Sequence, residues 1–212
     1  MRKAIVFALL LLPIQAFAVR FDLGAGMTQY KQIANGTWIQ AGNPGQMTLK
    51  SPAEKVGLSF GLPYRFRFRV AYVWLGTASE ASWDTTDQAY AAGCRGSSCP
   101  GWANFVGSGE IQGVALTFAR GIHFGPVEVV GDVGPFIYRP TWTESVYGTN
   151  GALVAQVSHN PKWDEGFTGG LSLRYGILGV SWQYYHARAA GDAVPALYHS
   201  AQTFMVTAHI PI

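Results

Sequence analysis

The stretch from Arg65 to Leu75 constrains the fold of this chain more than any other segment. Its even-numbered positions are all large and apolar or aromatic, whereas its first three odd-numbered positions are arginines. Successive side chains of a β-strand point to opposite faces, so the pattern predicts a strand with one apolar and one charged face. Two architectures can use such a strand. A water-soluble sandwich would place the arginines in water, and a membrane barrel would place them inside.

The first 18 residues have the pattern of a secretory signal peptide. Arg2 and Lys3 precede an apolar run that ends at Leu12, and Ala16-Phe17-Ala18 has the small-residue spacing of a cleavage site. The apolar run is well short of the roughly 20 residues that a membrane-spanning helix needs. We therefore expect an exported mature domain of residues 19–212, whose formal charge drops from +3 to +1 with the loss of two cations. That charge gives no reason to expect a nucleic-acid partner.

The composition of the chain favours the membrane alternative. Charged residues make up only 13% of the sequence, about half of the roughly 25% that is usual in soluble domains. Apart from the predicted signal peptide, the sequence contains no apolar run of helix-spanning length. A membrane location of the mature chain would therefore require strands.

Eight segments alternate between apolar and polar or small residues, and their connections alternate between long and short. Eight antiparallel strands with short turns at one end and long loops at the other predict an eight-stranded antiparallel transmembrane β-barrel with long external loops. Ile111 is an exception, because it lies on the polar face of its segment. The predicted strands are 19–28, 56–62, 65–75, 110–119, 127–142, 167–175, 180–186 and 203–212.

Seven charged residues occupy the faces opposite the apolar ones. Eight strands enclose only enough space for side chains, so these residues are predicted to form a charge network in the lumen. We expect Arg67 and Arg69 to pair with Glu128 and Asp132, and with Asp22 of the first strand. In the sandwich alternative each charge would simply be solvated. The full set is Arg20, Asp22, Arg67, Arg69, Glu128, Asp132 and Arg174.

Aromatic residues stand at the ends of the predicted strands, where the headgroup layers of a membrane would lie. They are Tyr64, Phe66, Trp74, Trp142 and Tyr175.

Cys94 and Cys99 lie five positions apart in a polar segment. In an oxidising compartment outside the cytoplasm, this spacing predicts a small disulfide-closed loop. A metal site would need further ligands, and no histidine lies nearby. We therefore expect a disulfide and no metal.

The sequence contains none of the motifs G-x-S-x-G, H-E-x-x-H or the P-loop, so no catalytic residue is assigned and no cofactor is expected. The segment from Tyr184 to Gly191, together with the C-terminal strand, resembles the lipid A 3-O-deacylase (PagL-type) barrels. The resemblance places His186 at the family's catalytic histidine, on the outer wall. Arg188 stands where that family has its nucleophilic serine, and the glutamate position falls near Ser200. His186 and Arg188 are therefore candidates for contact with lipid headgroups.

The overall pattern also resembles the small OmpX, OmpA and OmpW barrels. This resemblance implies a non-enzymatic outer-membrane surface protein of a bacterial envelope, acting in envelope integrity, adhesion or small-solute passage. A lipid A-modifying acyl hydrolase, or a degenerate relative of one, is the alternative. A secreted ligand-binding sandwich is a third. The expected partners are outer-membrane lipid, lipopolysaccharide and the barrel assembly machinery.

Overall fold

The computed structural model describes residues 18–32, 46–48, 50–85, 102–159, 162–187 and 198–212. Within these ranges no helix is both long and apolar enough to cross a membrane. A single 3₁₀ turn, Pro63–Arg65, joins two strands. The strands are β1 (Val19–Gln32), β2 (Gln46–Thr48), β3 (Lys50–Gly61), β4 (Phe66–Thr85), β5 (Trp102–Phe124), β6 (Val127–Gly148), β7 (Leu153–His159), β8 (Asp164–Tyr175), β9 (Leu178–His186) and β10 (Tyr198–Pro211).

The strands form a closed antiparallel ring. Around the ring, β1 is followed by β3, β4, β5, β6, β8, β9 and β10, and β10 pairs back onto β1. The two remaining strands lengthen the ladders of their neighbours, since β2 pairs with β4 beyond the end of β3 and β7 pairs with β6 beyond the start of β8. The wall therefore has eight strands, and the predicted fold class, an eight-stranded antiparallel transmembrane β-barrel, is confirmed.

The short and long connections between the eight wall strands lie at opposite ends of the barrel. Three tight turns, at residues 62–65, 125–126 and 176–177, lie at the end that also holds Val19 and Ile212. We call this the turn end. The opposite end, where the longer connections begin, is called the loop end. The sorting of connections predicted from the sequence is thus present.

All eight strands of the wall are longer than the sequence predicted, and β4, β5 and β6 exceed their predicted lengths by the most. β4, β5 and β6 contain 20, 23 and 22 residues, whereas β8 and β9 contain 12 and 9. The extra part of β5 includes Gly107-Ser108-Gly109, which was expected to be loop because it lacks apolar alternation. It forms strand because its backbone pairs with β4 on one side and β6 on the other.

The outer wall carries the apolar faces of the strands. Along β8, for example, Phe167, Leu171, Leu173 and Tyr175 are each at least half exposed, while Thr168 and Ser172 between them are buried. The eight residue-to-residue steps from Phe167 to Tyr175 span roughly 27 Å along the strand. Because barrel strands tilt by about 40°, this corresponds to roughly 20 Å along the barrel axis, close to the apolar band of a membrane barrel.

Candidate functional site

The turn-end half of the interior contains a network of ion pairs. Arg67 donates to Glu128 through both terminal nitrogens, Nη2 to Oε1 at 2.6 Å and Nη1 to Oε2 at 3.1 Å. These residues lie on β4 and β6, so the pair reaches across the interior face of β5. The crossing depends on Gly121 of β5, since a Cβ there would lie 2.0 Å from the Glu128 Oε1 atom.

The second ion pair links four strands. Arg69 Nη1 donates to Asp132 Oδ2 at 2.9 Å. Asp132 also accepts from Gln183 Nε2 at 2.5 Å, and the same nitrogen lies 3.1 Å from the Thr168 hydroxyl. Because all four side chains are buried, these hydrogen bonds connect β4, β6, β8 and β9 away from bulk water.

Asp22 has a different partner from the arginines that the sequence predicted. Its Oδ1 lies 2.6 Å from Nδ1 of His209, whose Nε2 lies 3.1 Å from the Thr207 hydroxyl. A neutral imidazole protonated at Nδ1 satisfies both contacts, since it donates to Asp22 and accepts from Thr207. The order of carboxylate, imidazole and hydroxyl is that of a catalytic triad. However, Thr207 is only 2% exposed inside the barrel wall, so no substrate can reach the hydroxyl.

Three further cations face the interior without a close partner. Arg174 Nη1 lies 3.9 Å from Glu128 Oε2 and makes no hydrogen bond to a described residue. Arg20, half-buried near the turn end, forms no ion pair within the described ranges. Lys55 was missed by the sequence reasoning, because the predicted strand began one residue later, at Val56. It shares the interior face of β3 with Ala53 and Gly57.

The loop-end half of the interior is apolar, which corrects the expectation of a polar lumen throughout. Phe136 stacks on Tyr138 with ring centroids 5.4 Å apart and contacts the ring of Tyr185 at 4.9 Å. The Tyr30 hydroxyl donates to the backbone of residues 75 and 76. Ile111, whose parity looked anomalous in the sequence, belongs to this layer. The cluster comprises Tyr30, Ala71, Val73, Leu75, Ala78, Ala103, Phe105, Ile111, Ala115, Phe136, Tyr138, Tyr185, Ala187 and Ala201.

His186 lies on the outer wall, on the same face as Trp182 and Tyr184. Its ring stacks on Phe167 with centroids 4.9 Å apart and 19° between the planes. Ser200, near the position where the deacylase resemblance would need a glutamate, is buried, and its hydroxyl has no hydrogen-bond partner among the described residues. Among the described residues, therefore, no carboxylate pairs with His186.

Several sequence predictions fall outside the described residues. They are the signal peptide up to position 17, Arg188, the pair Cys94 and Cys99, and the side chain of Trp142. Each of them stays a prediction.

Polar and aromatic side chains border the apolar wall at both ends. At the turn end Tyr64 is 88% exposed, and the Arg120 guanidinium lies 5.3 Å from the centroid of Phe66. Toward the loop end Trp74 Nε1 donates to Glu110 at 2.9 Å. The Tyr72 hydroxyl, nearby, hydrogen-bonds Gln112. Rings with one polar edge suit the interfaces of a bilayer.

Two shallow grooves mark the outer wall between larger side chains. Both border Ala25 and Val206, and their volumes are about 440 Å³ and 530 Å³. Tyr72 and Trp74 border one groove, and Trp182 and Phe204 border the other. Apolar grooves of this kind are compatible with lipid acyl chains.

The chain has the architecture of the small eight-stranded outer-membrane barrels. No family model matches it, and no curated protein matches it. Ail, the attachment invasion locus protein of Yersinia pestis, matches at 9% identity with a TM-score of 0.47, over 92% of this chain and 99% of Ail. The structure of Ail in complex with the heparin analogue sucrose octasulfate matches at 10% identity with a TM-score of 0.44, over 92% of this chain and 99% of Ail. Neisserial surface protein A (NspA) matches at 10% identity with a TM-score of 0.42, over 92% of this chain and 97% of NspA. Since these TM-scores are below 0.5, the fold assignment rests on the strand pairing itself.

Proposed function

We propose that this chain is a non-enzymatic surface protein of a bacterial outer membrane. It is exported through a signal peptide at residues 1–18, inserted by the barrel assembly machinery and held in lipid by its eight-stranded wall. Its activity lies in the part that projects beyond the barrel at the loop end. The observation that carries the proposal is the combination of an apolar outer wall with three strands that continue past the loop end.

The outer wall supports a location in lipid. An exposed contiguous apolar surface is unusual in a soluble protein and marks contact with a membrane or a partner. Here it encircles the barrel, because exposed large apolar residues occur on all eight strands of the ring. Charged side chains are turned inward, as in Arg67, Arg69 and Glu128, or stand near the wall's ends, as in Arg120 and Glu110.

Small-solute passage is the least supported of the three expected roles. An eight-stranded barrel has just enough interior volume for its own side chains. The apolar cluster at the loop end includes Val73, Leu75, Phe136 and Tyr138, each of which has no exposed surface. A layer of this kind leaves no aqueous path, so adhesion and envelope integrity are the better-supported roles.

The projecting strands supply a surface for those roles. β4, β5 and β6 exceed β8 and β9 by roughly ten residues, which corresponds to about 30 Å of strand. β2 and β7 pair onto this extension. Trp83, Leu153, Val154 and Trp163 are about half exposed or more at this end. Such side chains suit contact with lipopolysaccharide or with another protein.

Heat-modifiable migration tests the barrel part of the proposal. After fractionation of expressing cells, the protein is expected in the outer membrane, and the unboiled sample should migrate faster than the boiled one in detergent gels. Recovery in a detergent-free soluble fraction would refute it. Replacing residues 83–104 by a short Gly-Ser turn should leave the heat-modifiable band intact and abolish surface labelling of the extension.

A lipid A-modifying acyl hydrolase is the second candidate, and it depends on the outer-wall position of His186. Against it, the side chain of His186 contacts the Phe167 ring and no carboxylate within the described ranges. An orienting acid is what a serine-type mechanism needs. Expression of the chain should leave the mass of lipid A unchanged. A mass loss equal to one acyl chain, absent in His186→Ala, would replace the first candidate with the second.

A further inference from the structure

We propose that the turn-end half of the interior binds one small monovalent inorganic anion, such as chloride. The guanidinium groups of Arg174 and Arg69 and the ammonium group of Lys55 would hold it. This inference does not depend on the surface role proposed above, because it rests only on the interior of the barrel.

The charges of this half do not balance. Five described cations face the interior here and only three carboxylates oppose them. An excess charge enclosed by protein is costly unless a counter-charge accompanies it. Protonation of His209 would add to the excess rather than remove it. The cations are Arg20, Arg67, Arg69, Arg174 and Lys55, and the carboxylates are Asp22, Glu128 and Asp132.

Arg174 is the clearest sign of a missing partner. Its side chain is 2% exposed, yet it makes no hydrogen bond to a described residue, and its buried Nε and Nη1 atoms both lack a hydrogen-bond partner. The nearest carboxylate, Glu128, is already engaged by both terminal nitrogens of Arg67. A guanidinium offers five N–H donors, and buried polar groups in native proteins are rarely left without a partner.

Arg69 and Ser59 offer further unused donors. Arg69 uses only Nη1 on Asp132, while its Nε and Nη2 atoms are buried without a partner. Ser59 lies directly across from Arg69 on the adjacent strand, and its buried hydroxyl also lacks a partner. An anion accepts hydrogen bonds from both kinds of donor at once.

The three cations that would hold the anion come from facing parts of the ring. Lys55 lies on β3, which is four strands away from β8 and Arg174 in either direction, and Arg69 lies on β4 beside β3. Like charges enclosed within one narrow barrel repel one another, and an anion among the three would offset that repulsion.

The anion must be small. Lys55 is half-buried on the interior face of β3. Gly24 of β1 lies directly across from it, and Gly57 is the next interior position along β3 toward the turn end. An eight-stranded barrel leaves little room beyond its side chains. A single-atom halide therefore fits the site better than phosphate or a carboxylate.

Salt-specific stability tests the proposal. The purified, folded protein in lipid vesicles would be unfolded with urea in potassium chloride and in potassium gluconate at equal ionic strength. Once chloride exceeds its dissociation constant, the unfolding equilibrium constant should fall about tenfold for each tenfold rise in chloride. Equal unfolding midpoints in the two salts at every concentration would overturn the proposal.

Substitutions at the proposed site test where in the protein chloride binds. Arg174→Met should abolish the chloride dependence and should unfold at a higher urea concentration than the wild type in gluconate, because the substitution removes a buried charge that no hydrogen bond to a described residue satisfies. Lys55→Met should shift the dependence to at least tenfold higher chloride. The matched control is Arg120→Met, an outer-wall arginine, which should retain the wild-type dependence. A chloride effect that persists in Arg174→Met would place the halide elsewhere and overturn the assignment.

Anomalous diffraction from crystals grown in sodium bromide gives an answer that does not depend on variant folding. One bromide peak in contact with the Arg174 guanidinium is expected inside the barrel. Ordered water without anomalous signal at that position would overturn the proposal. Bromide that appears only on the protein surface would also overturn it.

Discussion

The turn-end and loop-end halves of the barrel interior are stabilised in different ways. In the turn-end half, charged side chains from strands that are not neighbours meet across the interior, as Arg67 and Glu128 do at 2.6 Å. In the loop-end half, apolar and aromatic side chains fill the interior, and Ile111 and Phe136 among them have no exposed surface. Buried ion pairs fail when one partner is removed, whereas an apolar layer fails when volume is removed. The two halves should therefore respond to different substitutions.

The largest effect is expected from Asp132→Leu in the charged half. The change leaves Arg69 without its hydrogen-bonded carboxylate and Gln183 without its acceptor. Removing one partner of a buried pair costs about 3–5 kcal/mol. Urea unfolding in vesicles should show a loss of that size in the free energy of unfolding. The double variant Arg69→Met/Asp132→Leu should recover much of it, because no unpaired charge remains. A double variant as unstable as the two losses added together would show that the ion pair does not account for the cost.

In the apolar half, Phe136→Ala is expected to cost about 3 kcal/mol, since it leaves a cavity beside Tyr138 and Tyr185. The same unfolding assay measures the loss. Phe136→Leu, which keeps much of the volume, should cost less than half as much. If both substitutions cost the same, lost volume would not explain the stability of this half.

Gly121→Ala tests whether the Arg67–Glu128 ion pair needs the space beside the interior face of β5 that glycine leaves open. The new Cβ would lie 2.0 Å from Glu128 Oε1, an atom fixed by Arg67. Displacing the carboxylate should therefore cost roughly 1–2 kcal/mol, the range for a weakened charged hydrogen bond. Gly131→Ala is the matched control on the outer wall, where the nearest atom, Leu171 Cδ2, is 3.7 Å away. It should stay within about 0.5 kcal/mol of wild type. Equal losses at the two glycines would contradict this explanation.

The smallest effect is expected at the tight turn between β3 and β4, which borders the charged half but contains none of its ion pairs. Tyr64 and Arg65 both have positive φ angles, 59° and 65°, a region that costs residues with a Cβ about 1 kcal/mol each. Arg65→Gly should therefore stabilise the barrel by up to about 1 kcal/mol, after allowance for the greater chain entropy of glycine when unfolded. The gain should add to the loss in Asp132→Leu, because the sites share no partner. A gain that vanishes in the Asp132→Leu background would mean that the turn and the ion pairs are coupled.

Period-two patterning predicted the inward-facing charges, and together with the low charge content and the alternation of long and short connections it predicted the barrel. Arg67 and Arg69 lie against Glu128 and Asp132 because strand parity and position fix which charges can meet. Parity could not choose the partner of Asp22, since it shows which side chains share the interior face, such as His209 and the arginines, but not which of them meet. The extended parts of β4 and β5 escaped prediction because short polar residues form strand there through pairing with neighbours.

Lys55 and Ile111 show a further limit of the pattern. Each faces the interior, where the alternation of apolar and polar positions predicts only small residues or paired polar residues. Lys55 was excluded because the loop before it contains turn residues, and Ile111 looked misplaced because a polar lumen was assumed. The division of the interior into a charged and an apolar half is a property of packing between distant strands. No single segment of the sequence contains it.

The inside–outside assignment is tested most directly by a spin-label scan of β8 from Phe167 to Tyr175 in lipid vesicles, in a background in which both cysteines are replaced by serine. Collision with lipid-soluble oxygen should be high at odd positions such as Leu171 and low at even positions such as Ser172, following their 56% and 5% exposure. Odd positions that instead collide with a water-soluble nickel reagent, and not with oxygen, would contradict a wall that faces lipid.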